Sequence, residues 1–75
     1  MDPHATWKEL LDAYAASDWA SAQDFAEALL DWLDRGGFPP HTLGRSDLGE
    51  LDRSVARYVC RFVLDHADAT LGRPS

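Results

Sequence analysis

Along most of this chain apolar residues recur every three or four positions, the spacing of a helix with one covered face. Nowhere do they alternate with the period of a strand. The pattern predicts an all-α fold, a three-helix bundle in which a two-helix hairpin is followed by a long third helix. Helices are expected at about 3–16, 18–35 and 47–69, with a loop at 36–46 and a frayed tail at 70–75, all in a single domain.

The first helix has two candidate starts. Asp2-Pro3 offers an N-cap followed by proline, and Thr6-x-x-Glu9 offers a capping box. Either leads into Trp7, Leu10, Leu11 and Tyr14 on one face. Asp18 restarts the chain after a short linker. From there Trp19, Ala22, Phe25, Ala26, Leu29, Leu30, Trp32 and Leu33 share one arc, and Asp24, Glu27, Asp31 and Asp34 lie opposite. Gly36-Gly37 supplies a left-handed cap and Pro39-Pro40 blocks continuation. Phe38 and Leu43, in the loop, are expected to tuck back onto the bundle.

Asp47, three residues before Glu50, is the expected start of the third helix. Its apolar arc runs through Leu48, Leu51, Val55, Tyr58, Val59, Phe62 and Val63 to Ala56, Cys60 and Ala67. That arc covers roughly 200°, wider than an ordinary one-faced surface helix needs. Such a helix is either central in its bundle or packed on a second chain. Ala56, Cys60 and Ala67 are small enough for close helix approach, so these three and Val63 are the expected self-association face. A Val63→Glu change should then split a dimer and keep the helices.

Charge and composition narrow the partners. The net charge is −6, and residues 1–44 carry Lys8 and Arg35 against Asp2, Glu9, Asp12, Asp18, Asp24, Glu27, Asp31 and Asp34. Phosphate recognition wants the opposite balance, so a nucleic-acid partner is not expected. No window approaches the ~18–20 apolar residues of a membrane span, and the start of the chain lacks the features of a signal peptide. A lone cysteine precludes an internal disulfide and fits a reduced thiol in a cytoplasmic protein. The absence of Ile and Asn, the single Lys and the abundance of Arg, Ala and Asp match a GC-rich bacterial genome.

Catalytic and metal chemistry find little to stand on. No His-x-x-x-His or Cys-x-x-Cys pair occurs, and Gly36-Gly37 follows a helix instead of opening one. Cys60 and His66 are about 120° apart around their helix, and His66 is expected at the core edge with a hydrogen bond. No catalytic residue, cofactor, metal or small-molecule substrate is expected. Arg53, Arg57 and Arg61 form a stripe that suits either solvent or an acidic partner. Trp32 and Phe38 form a candidate anchor at the bundle rim.

The stretch from Ala5 to Leu33 resembles one tetratricopeptide repeat. Trp7, Leu10, Leu11 and Tyr14 follow the first-helix signature, with Leu11 where a small residue belongs. Ser17-Asp18-Trp19-x-x-Ala22 resembles the turn and second-helix start, and Phe25, Ala26 and Leu29 occupy core places. The turn is one residue short, Asp34 stands at the place of the closing proline, and no second copy follows. The resemblance implies peptide or protein binding on the first helix, at Lys8, Asp12 and Ala15.

These features suit a non-catalytic protein-interaction module that self-associates as a homodimer through its third helix. The alternative is a small acidic inhibitor or mimic, using Asp24, Glu27 and Asp31 against a basic surface on an enzyme or nucleic-acid-binding protein.

Overall fold

The structure, a computed structural model, describes residues 1–72. It is an all-α three-helix bundle: α1 (Pro3–Ala15), α2 (Trp19–Asp34) and α3 (Gly49–Leu71). Asp2 is the N-cap of α1, its Oδ1 accepting from the backbone N–H groups of His4 and Ala5 at 3.0 and 3.3 Å. Asp18 caps α2 through Ser21 at 3.3 Å.

Both shorter helices end in the same hydrogen-bonded turn. Ser17 N–H donates to the Tyr14 carbonyl and Asp18 N–H to Ala13; at the end of α2, Gly36 pairs with Leu33 and Gly37 with Trp32. The turn needs a left-handed residue after the cap. Gly36 takes that conformation at φ +85° without a side chain to clash, whereas Ser17 takes it at φ 56° with one.

The third helix begins two residues later than expected. Asp47 does not cap it, because both of its carboxylate oxygens accept from Arg45, at 2.9 and 2.6 Å. That hydrogen-bonded cation holds the Asp47 carboxyl below the usual carboxylate range. Leu48 stands at the N-cap without a side-chain bond, and Glu50 and Asp52 supply negative charge in the first turn. At the other end α3 continues through Thr70 and Leu71, both assigned to the tail from the pattern, and stops at left-handed Gly72. Residues 73–75 of the expected tail lie outside the described residues.

α2 is the central helix, packing against both α1 and α3. His4, near the start of α1, meets His41 and Phe38 of the loop, and Tyr14 near its end meets Phe62 and His66. α1 and α3 therefore run the same way, with α2 opposed. The core between them is made of Leu10, Ala13, Ala22, Ala26, Leu29, Leu33, Ala56, Cys60, Val63 and Ala67. Half of those side chains are alanine, so the helices approach closely but cover little apolar volume per residue.

Polar contacts complete the packing. Gln23, buried on α2, donates to Asp68 of α3 at 2.9 Å. Asp52 is 1% exposed, and one of its oxygens accepts from the backbone N–H and hydroxyl of Thr42 at 3.0 and 2.6 Å. The loop is held by the Thr42–Asp52 bonds and by the buried ring of Pro40. Phe38 and Leu43 stay 57% and 55% exposed, contrary to the expectation that they tuck in.

Candidate interaction surface

α3 sorts its apolar arc by size. Asp52, Ala56, Cys60, Val63 and Ala67 recur at intervals of four, four, three and four residues and face the core. Leu51, Val55, Tyr58 and Phe62 recur at four, three and four residues, roughly 130° around the helix from that row, and Phe62 meets Tyr14 of α1. Of these, Tyr58 is 72% exposed and Leu51 and Phe62 are each 49% exposed, while Val55 is half-buried. Leu11 of α1, 43% exposed, extends the strip across the gap between the helices. There a groove of about 210 Å³ is lined by Leu11, Tyr14, Val59, Phe62 and Val63.

The self-association face expected from the sequence is therefore misplaced. Ala56, Cys60 and Ala67 are fully buried and Val63 nearly so, all within one chain. Their small size serves the approach of α2, not of a second chain. Burial without a charged neighbour also pushes the Cys60 thiol up to about 12, so it stays protonated and unreactive.

The arginine stripe is mostly engaged within the chain. Arg53 donates to the carbonyls of Leu33 and Gly37, at 3.1 and 3.0 Å, satisfying the C-terminal end of α2. Arg57 pairs with Asp34. Arg61 is exposed, and among the described residues it is the one lysine or arginine with no ion pair or hydrogen bond. The three arginines do not form a common anion site.

Trp32 and Phe38 do come together. The indole N–H donates to the Phe38 carbonyl at 2.8 Å, and the rings meet edge to face at 5.7 Å. Gly37 makes this possible, since a Cβ there would overlap the indole. The hollow of about 440 Å³ beside it is lined by Met1, Trp32, Arg35, Gly36 and Gly37. It offers one aromatic face and a run of glycine backbone. Asp24 and Glu27 are exposed on the outer side of α2, and Asp31, also exposed, pairs with Arg35 at 2.6 Å.

His66 departs from the core-edge, hydrogen-bonded place expected for it. It is exposed and lies among rings, with centroids 4.7 Å from Trp19, 5.8 Å from Tyr14 and 6.1 Å from Phe62. His41, Ser46 and Asp52 line a hollow of about 150 Å³ with Phe38, Pro39 and Gly49. Thr42 occupies the Asp52 carboxylate, and among the described residues no hydrogen bond joins His41 to Ser46 or Asp52. Among the described residues no group of three His, Cys, Asp or Glu side chains is placed to hold a metal ion. No helix of the described residues is long and apolar enough to cross a membrane.

The outward strip was hidden from sequence reasoning because both seams of α3 are apolar and merge into one wide arc. The signal that separates them is residue size: one seam is mostly alanine, cysteine and valine, the other mostly leucine, tyrosine and phenylalanine. Comparison with known proteins adds no assignment: no protein-family model, curated protein or solved structure matches the chain.

Proposed function

We propose that this chain is a non-catalytic protein-interaction module that docks through the outward strip of α3 and the groove beside Leu11. One observation carries the reading: half of the core side chains are alanine while Leu51, Tyr58 and Phe62 are left outside. A chain of 75 residues gains little from a core of that kind, and small domains commonly add stability by association. Tyrosine and phenylalanine at the centre of an exposed apolar patch are also the residues that anchor interfaces. The tetratricopeptide-like resemblance supports the same class of function, although its surface at Lys8, Asp12 and Ala15 is a neighbouring one. The single unpaired, buried thiol suits a cytoplasmic setting.

A photo-crosslinking residue at Tyr58, compared with one at Ala28 on the acidic side of α2, tests the reading in the native cell. Protein adducts from position 58 and none from 28 are expected. Adducts from position 28 alone would overturn it in favour of the second reading, an acidic mimic docking through Asp24, Glu27 and Asp31. That second reading draws on Asp24 and Glu27, exposed and without an ionic partner among the described residues.

A further inference from the structure

Leu51, Val55, Tyr58 and Phe62 have the four-three-four spacing of a coiled-coil seam, and the place after Phe62 in that spacing is Asp65. Toward the C-terminus the apolar seam thus stops after four layers, and the place before Leu51 is Leu48, half-buried at the N-cap. Resting on the docking face proposed above, we infer that its occupant is a second copy of this chain, with the two α3 helices antiparallel about a two-fold axis between Ala56 and Arg57.

Three observations lead to that occupant. The first is apolar register: about this axis Leu51 of each copy lies opposite Phe62 of the other, and Val55 opposite Tyr58. All four layers are filled, and Leu51 of the second copy is aimed at the groove beside Leu11.

The second is charge. Glu50 and Arg61 flank one edge of the seam, 11 residues apart, and neither has an ionic partner among the described residues. The same axis sets Glu50 of one copy within about two residues of Arg61 of the other along the helix, about 3 Å of rise, and does so twice.

The third is the placement of the remaining charge. The net charge of −6 would oppose self-association if it were spread evenly. Asp24, Glu27 and Asp31 instead lie on the outer side of α2, opposite the residues through which α2 meets α1 and α3. Two copies meeting at α3 hold those acids far apart. A strongly basic partner would find its attraction on the other side of the molecule.

Sedimentation velocity on the full chain tests the arrangement. The wild type is expected to move from one chain mass, 8.3 kDa, toward twice that as concentration rises to about 500 µM. Glu50→Arg and Arg61→Glu each place like charges at both ends of that edge, and each alone is expected to weaken the dimer about tenfold. An equimolar mixture of the two variants restores both pairs in trans, so its association should return to within about threefold of the wild type. Circular dichroism checks that each variant is helical.

A wild type that stays at one chain mass overturns the second copy. If crosslinks from Tyr58 then reach a different protein, the docking face itself still stands; if none form, both readings fail. A dimer indifferent to the charge variants, or one the mixture does not restore, overturns the antiparallel register.

Discussion

Thr42 gives both its backbone N–H and its hydroxyl to a single carboxylate oxygen of Asp52, which is almost wholly buried at the start of α3. This contact ties the loop to the helix that follows it across ten residues of sequence. Thr42→Val keeps the shape and the backbone donor but removes the hydroxyl from a buried carboxylate. It should lower unfolding stability by about 1–3 kcal/mol, read from the urea midpoint at unchanged slope. A value near zero would mean that water replaces the hydroxyl without loss.

Neighbouring positions on α3 should answer oppositely to the same change. Val63→Glu puts a carboxylate into the core, so helical circular dichroism should collapse at 25 °C. This reverses the outcome expected from periodicity alone, in which Val63 faced a second chain. Phe62→Glu, one residue earlier and half exposed, should retain the helical signal and lose self-association. Equal loss of structure in both variants would contradict the partition of α3 into an inner and an outer seam.

That contrast marks where the sequence was legible. The partition of α2 into an apolar and an acidic side was readable because a single period of 3.6 separates two chemically distinct classes. α3 was not readable in the same way, since hydropathy does not distinguish Ala56 from Phe62 as strongly as size does. The bonds from Thr42 to Asp52, Gln23 to Asp68 and Arg53 to the end of α2 join residues 10, 45 and 16–20 positions apart. Such contacts have no periodic signature, so they emerged only once the helices were placed. Asp47 misled because a nearby arginine competes for the same carboxylate that a helix start would use.

Cys60 should make stability fall in alkali. Its thiol is held at about 12 in the folded chain against an ordinary 9.0, so the folded state keeps a proton that the unfolded state releases. The contribution is complete below pH 9 and is lost as pH rises toward 12. Cys60→Ala should flatten that part of the stability curve, measured by urea unfolding at stepped pH. Consistent with the same burial, a thiol reagent at pH 8 should label Cys60 only as fast as the chain opens.

Ser17 offers a gain. Its left-handed backbone at φ 56° suits glycine, as the equivalent turn after α2 shows with Gly36. Ser17→Gly should raise stability by about 0.5–1 kcal/mol, seen as a melting temperature a few degrees higher. A fall would show that the serine side chain contributes more than its backbone strain costs.

The loop between α2 and α3 is fastened at Phe38 by Trp32, at Pro40 by burial and at Thr42 by Asp52, yet Leu43, Gly44, Arg45 and Ser46 are all exposed. It is therefore two segments with different tolerances. A reporter peptide spliced after Gly44 would hang outward from a secured anchor, whereas the same splice at Pro39 would pull the anchor free. The molecule thus has a natural attachment point for a label, on a segment that belongs to neither seam of α3.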